Sequence, residues 1–254
     1  MQTIVINNQK GGVGKTMLAV HLAWFLAEGN ARVLFVDLDG QGNGSSVLSG
    51  ERKAFAAADL FQTKADMNIE GAEGITVLPR DARLHSIELS QVTAMLKNFK
   101  AFDSHFDYCV IDTPPNWGAR NFAAMAVCDF LLSPIELKDF AIEGVGEVLQ
   151  SILAVQEKGR GGRKINFLGL VASRFNSHSP RERGNLEALV AKIGTKMMFP
   201  GVITARDGYE QAMSDRKPVW SIKSSGATVA GAEMRKILSA VRDRVVAETA
   251  KETA

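Results

Sequence analysis

The chain has 254 residues, of which 46% are hydrophobic, 23% charged and 7% aromatic, the proportions of a globular protein with one large domain or two small ones. Its two cysteines, Cys109 and Cys128, are too few for a disulfide framework or a four-cysteine zinc site, and no apolar run approaches the roughly 20 residues of a membrane span. The formal net charge is only +2, yet residues 1–127 hold 11 Lys/Arg against 13 Asp/Glu while residues 158–236 hold 15 against 6. Secreted, collagenous, disordered and membrane-spanning classes are thereby excluded. No basic, hydrophobic leader precedes the first strand pattern, so a cytoplasmic location is expected. The basic C-terminal half implies an anionic partner.

Strand-like runs alternate with helical periodicity, a pattern of βαβ units. Residues 3–8 read as a strand followed at once by a Gly-rich turn. Helical spacing then covers 16–28, with Leu18, Leu22, Phe25 and Leu26 on one face and Gly29 as the stop. Arg32–Asp37 is a second strand with an acidic end, followed by a Gly-rich connection over 40–50. Further strands are predicted at 75–78, Tyr108–Asp112, Phe130–Ile135 and 166–173, and helices at 90–102, 120–127, 143–155, 181–193 and 229–247. The fold class that follows is α/β, a three-layer, mainly parallel sheet with helices on both faces, in a single domain over 1–254. His21, Trp24 and Phe25 form a core-facing stripe, and His85, His105 and His178 have no metal-ligand spacing.

The strongest motif is Gln9-Lys10-Gly11-Gly12-Val13-Gly14-Lys15-Thr16, between the first strand and the first helix. It departs from G-x-x-x-x-G-K-[ST] only in having Gln9 in place of the first glycine. Gly11, Gly12 and Gly14 let successive backbone N–H groups converge on phosphate oxygens, and the helix N-terminus adds partial positive charge. Lys15 is placed to reach the β- and γ-phosphates and Thr16 to offer its hydroxyl to Mg²⁺. A second lysine, Lys10, stands at the entrance of the same loop.

KGGVGKT resembles the deviant Walker A motif of the ParA/MinD family of dimeric ATPases. The resemblance implies a P-loop NTPase that binds ATP and Mg²⁺. It makes Lys15 the cis lysine and Lys10 a lysine that crosses an ATP-dependent homodimer interface to the partner's phosphates. Lys10 through Met17, including Val13, become ATP-binding residues. Asp37-Leu38-Asp39-Gly40-Gln41-Gly42-Asn43 is similar to the family's DxDPQGN switch segment. In that match Asp39 positions the attacking water and belongs with Thr16 and Asp112 around Mg²⁺, while Asp37 is structural. Gly40 replaces the family's usual proline, which is expected to loosen the loop. Tyr108–Asp112 with Thr113, Pro114 and Pro115 resembles the Walker B strand, with Asp112 holding Mg²⁺. More faintly, residues 132–136 followed by 141–144 echo a strand and helix start. Arg206, Ala212 and Lys217-Pro218-Val219 echo the block that closes over the base, which makes Arg206 an ATP-binding candidate.

Within that family, membrane-positioning MinD-type proteins end in an amphipathic helix with bulky apolar residues. Residues 241–254 here end with Val245 and Val246 as the last bulky side chains, so no membrane partner is expected, although a MinD-like membrane-surface ATPase remains the alternative. Cluster-binding relatives need cysteines at the dimer interface, whereas Cys109 and Cys128 read as packing residues. The basic half fits the DNA-partitioning branch, which implies non-specific DNA and a centromere-binding ParB-like protein as partners. The phosphate loop begins at residue 10, so a short form without an N-terminal helix-turn-helix domain is expected, nucleoid-associated when ATP-bound. Candidate DNA contacts are Arg174, Arg181, Arg183, Lys223 and Arg235, with Arg160 among the further basic positions.

Overall fold

The computed structural model describes residues 1–63, 67–138 and 141–252. Among these, the strands are β1 (Gln2–Ile6), β2 (Arg32–Asp37), β3 (Arg52–Lys53), β4 (Gly74–Leu78), β5 (Tyr108–Asp112), β6 (Phe130–Ile135), β7 (Asn166–Phe175) and β8 (Met198–Thr204). The helices are α1 (Lys15–Ala27), α2 (Asn43–Val47), α3 (Val92–Phe99), α4 (Ala119–Val127), α5 (Ala141–Gly159), α6 (Pro180–Ile193), α7 (Asp207–Asp215) and α8 (Ser225–Glu252). The strands form one sheet in the order β3-β4-β2-β5-β1-β6-β7-β8, and every pair in it is parallel.

Alternation along each central strand builds two cores. Ile4 and Ile6 of β1, Val33 and Phe35 of β2 and Val110 of β5 face one side, where α1, α7 and α8 pack. Val5, Leu34, Val36, Cys109 and Ile111 face the other, under α3, α4 and α5. A parallel sheet covered on both faces has apolar strands throughout. Each fully buried Leu, Ile or Phe contributes roughly 1.5–3 kcal/mol, so β1, β2 and β5 are anchored in both cores. Burial pushes both cysteine thiols up, as expected of packing residues.

Helix α1 is apolar on nearly every side because α8 and the sheet enclose it. His21 lies fully buried within it, its ring edge-on to Trp24, Tyr209 and Trp220. Val219 N–H donates to His21 Nε2 at 3.2 Å, which leaves Nδ1–H to donate to the Met17 carbonyl at 2.7 Å. Burial lowers its pKa to about 4, so the ring is a neutral pin between α1 and the segment before α8. Phe25 is only partly buried, under the Arg242 guanidinium.

Several boundaries differ from the sequence expectations. The helix predicted over 90–102 is α-helical only in α3, with a 3₁₀ turn at each end, Leu89–Gln91 and Lys100–Phe102. The connection over 40–50 contains α2. Strand β8 and helix α7 are not expected from the sequence, because Pro200 and Gly201 argue against a strand. A proline is tolerated here since β8 lies at the sheet edge. Residues 139–140 and the side chains of 141–143, which belong to the echoed helix start, lie outside the described residues.

Candidate functional site: a nucleotide groove at the strand ends

The phosphate loop is held from beneath by two buried asparagines. Asn7 Nδ2 donates to Thr113 Oγ1 at 3.2 Å, and Asn8 Nδ2 donates to the Pro134 carbonyl at 3.0 Å. Asn8 Oδ1 in turn accepts from the Lys10 N–H at 2.8 Å. At Gly14 the backbone turns into α1 with φ +91°, and a Cβ there would stand 2.9 Å from the buried Ser173 hydroxyl. Only glycine fits both demands. Lys15 Nζ donates to the Lys10 carbonyl at 2.9 Å, folding its ammonium across the loop. Burial lowers the Lys15 pKa, while Asp112 and Asp39 oppose that shift. Lys10 points outward, 53% exposed, with Nζ 4.0 Å from Glu136. The loop thus separates its two lysines, one inside the cleft and one outside it.

Three aspartates lie at the ends of β2 and β5, of which Asp39 lines the cleft. Asp37 and Asp112 are register partners on β2 and β5, both fully buried. Asp37 is saturated: Oδ2 accepts from Ser45 N–H at 2.7 Å and Ser45 Oγ at 2.6 Å, and Oδ1 from Asp39 N–H at 3.1 Å. Asp112 is the reverse, since among the described residues neither of its oxygens meets a donor at hydrogen-bonding geometry. Burial and then Asp37 push its carboxyl well above the usual carboxylate range, against the nearby Thr16 hydroxyl and Lys15 ammonium. Asp39 is 9% exposed and lines the cleft, with Oδ1 accepting from Gln41 N–H at 3.0 Å.

The Gly40 segment is not loose, as its missing proline had implied. The His85 ring packs onto Gly40, where a Cβ would overlap it, and the Arg80 side chain lies over Gly42 in the same way. The Arg80 N–H also donates to Ser45 Oγ at 3.0 Å. The chain after β4 therefore covers the switch segment. Two other neighbours were not among the site residues expected from the sequence, although Glu136 closes the echoed block 132–136. Arg120, in the first turn of α4, donates from Nη1 to the Leu38 carbonyl at 3.0 Å. Glu136, at the end of β6, gathers Lys10, Lys138 and Arg174 around one carboxylate.

The cleft has a volume of about 500 Å³, and its lining includes Gly11, Gly12, Gly14, Lys15, Thr16 and Asp39. A second cavity of about 520 Å³ is lined by Arg174, Thr204, Arg206 and Tyr209, and shares Gly14, Met17 and Met213 with the first. The two cavities adjoin along these three residues as two parts of a groove. Arg206 is oriented by its neighbours, with Nε donating to Thr204 Oγ1 at 2.7 Å and lying 3.5 Å from Glu233. Val13 is buried beneath the loop and does not line the groove.

The basic candidates divide by what holds them. Arg174 pairs with Glu136 at 3.3 Å and takes a left-handed φ of +53°. Arg235 pairs with Glu28 at 2.8 Å and stacks on Trp220. Arg183 donates to the Ser177 carbonyl at 2.8 Å, and Arg181 lies beside it near the start of α6. Lys223 is exposed just before α8. Arg160 is half-buried and donates to the Ala126 and Cys128 carbonyls, a structural tie that removes it from the surface set.

A parallel sheet with a Gly-rich loop between β1 and α1, a lysine folded into it and aspartates ending β2 and β5 defines a P-loop nucleotide-binding protein. Residues 1–165 match the AAA_31 family, described as an AAA domain. The IncC protein of Escherichia coli is 34% identical over 246 residues, covering 93% of this chain and 68% of IncC. The chromosome partitioning protein ParA of Caulobacter vibrioides is 27% identical over 261 residues, covering 96% of each. Among solved structures, an ATP complex of Cyanothece McdA superposes with a TM-score of 0.81 at 22% identity, over 95% of this chain and 96% of that one. The chain belongs to this AAA-domain family, and within it to the ParA-type partitioning ATPases.

Proposed function

We propose that the protein binds MgATP in this groove, dimerises face to face when ATP is bound, and in that state binds DNA without sequence preference. A ParB-like centromere-binding partner then releases it by stimulating hydrolysis to ADP and phosphate. The observation that carries the reading is the continuity of the groove from the phosphate loop to the Arg206 cavity through Gly14, Met17 and Met213. One end suits phosphates and the other a nucleoside. The unpartnered Asp112 carboxylate supports a divalent cation, because a buried anion without a donor is tolerated where a cation completes it. Among the described residues no group of three or more His, Cys, Asp or Glu could hold a metal alone. Thr16 and Asp112 would therefore share the ion with phosphate oxygens and water.

When bound, the ion neutralises charge developing on the transferred phosphoryl group. The chain's own contribution is positioning. Lys15 and the loop N–H groups hold the phosphates, and Asp39 accepts a hydrogen bond from the attacking water. Lys10 is outside its own cleft, which favours a role across a dimer interface. The excess of basic residues over 158–236 favours DNA, since non-specific binding needs only cations against phosphates. Against the MinD-like membrane alternative, among the described residues from 241 onward Val241 and Val245 are buried in the core and Val246 is the one bulky apolar side chain that is exposed. The location expected is cytoplasmic, on the nucleoid when ATP is bound. The test is Asp39→Ala, which should bind ATP and hardly turn it over. Wild-type turnover in that variant would overturn the assignment.

A further inference from the structure

We infer that Arg120 is a positioning residue for hydrolysis, its guanidinium fixing the peptide that carries Asp39. The inference rests on the reading of Asp39 as the water-orienting carboxylate. Strand β2 ends at Asp37, so beyond it the ladder no longer dictates where the backbone groups point. Three bonds take over. The Leu38 N–H donates to the Asp112 carbonyl at 3.0 Å, Arg120 Nη1 donates to the Leu38 carbonyl at 3.0 Å, and the Asp39 N–H donates to Asp37 Oδ1 at 3.1 Å. The Leu38–Asp39 peptide is thus clamped on its oxygen and on its nitrogen. Two of the three bonds end on the aspartates that close β2 and β5, Asp37 and Asp112; the third comes from α4.

Helix α4 is itself registered to the phosphate loop. The Asn116 N–H, in the turn that leads into α4, donates to the Gln9 carbonyl at 2.8 Å. Arg120 therefore transmits the position of the phosphate loop to the residue that must aim water at its contents. A neutral donor could satisfy the Leu38 carbonyl equally well. The guanidinium adds charge beside Asp39, in a cluster where Asp39 and Asp112 otherwise face Lys15. The Nη1 hydrogen bond and the charge both serve the geometry of one carboxylate.

The experiment is single-turnover hydrolysis at saturating ATP, alongside ATP affinity, for Arg120→Ala and Arg120→Lys. Loss of the clamp should slow hydrolysis roughly ten- to a hundred-fold, the scale of a small misplacement of a catalytic group, with ATP affinity unchanged. Arg120→Lys should recover part of the rate, and millimolar guanidinium should restore Arg120→Ala where sodium chloride of equal ionic strength does not. Wild-type turnover in Arg120→Ala overturns the inference, as does a loss of rate matched by a loss of ATP affinity. If Asp39→Ala is inactive and Arg120→Ala is normal, only the Arg120 assignment falls. If Asp39→Ala turns over normally, the reading beneath it falls as well.

Discussion

Replacing Asp112 with Asn should make the nucleotide-free protein more stable while removing its response to magnesium. The carboxyl is fully buried and its oxygens meet no donor among the described residues. Leaving a buried polar group unpaired costs about 1–3 kcal/mol, and more when it is charged; the nearby Thr16 hydroxyl and the Lys15 ammonium offset part of that here. A gain of about 1–3 kcal/mol at neutral pH follows, and for a chain of this size each kcal/mol raises Tm by roughly 2–4 °C. The sign with pH is fixed by linkage. The folded carboxyl titrates well above its unfolded value of about 3.9, so between those two values the folded state holds a proton that the unfolded state has lost. Wild-type stability therefore falls as pH rises through that window, whereas the amide has nothing to lose. Thermal melts without nucleotide or divalent ions should show the two proteins converging towards pH 4 and separating as pH rises. Adding MgATP at about a hundred times its Kd should stabilise the wild type by roughly 2.7 kcal/mol, and the variant by much less. A variant less stable than wild type at pH 7.5, or a difference independent of pH, would refute the reasoning.

Gly40→Pro should lower Tm, because the ring would collide with His85 and overpacking costs about 1–3 kcal/mol; adding His85→Ala should recover most of the loss, and a double variant no better than the single would disprove the contact. Lys10→Ala should keep ATP binding yet fail to dimerise with ATP in light scattering, with turnover reduced by the order of magnitude or more that a trans-acting cation supplies. A variant that dimerises and hydrolyses normally removes the role of Lys10. Arg181→Glu combined with Arg183→Glu should weaken ATP-dependent DNA binding and flatten its salt dependence by roughly one unit of slope for each phosphate no longer neutralised, with ATP affinity intact; unchanged retention at every salt concentration would exclude this face.

The phosphate loop was legible because its chemistry requires adjacent backbone N–H groups, which only a contiguous motif can provide. Asp37, Asp39 and Asp112 were legible for a related reason: parallel strands deliver their C-terminal ends to one edge, so acidic strand ends converge wherever the sheet places them. What stayed hidden depends on packing between distant segments. Arg120 sits in a helix turn with no motif of its own, and its meaning arises only where α4 meets the end of β2. His85 gives no hint of lying on Gly40, and Glu136 none of drawing three cations to it. Strand β8 was masked by Pro200 and Gly201, whose penalty an edge position removes. Charge counting located the basic half but could not separate exposed cations from those, such as Arg160 and Arg235, already committed to carbonyls or to Glu28.

The buried imidazole of His21 has a mechanical consequence. Through it, the Met17 carbonyl in the first turn of α1 is joined to Val219, and the same C-terminal block carries Arg206, Tyr209 and Met213. With a pKa near 4, this joint does not loosen at neutral pH. The floor of the groove and the side formed by Arg206, Tyr209 and Met213 are thereby pinned to each other. The opposite wall, from Asp39 to Val47, rests on side chains, His85 over Gly40 and Arg80 over Gly42, rather than on strand pairing. In the proposed reading, the nucleoside side is thus tied to the floor through the imidazole, and the wall facing the terminal phosphate is held separately, by His85 and Arg80.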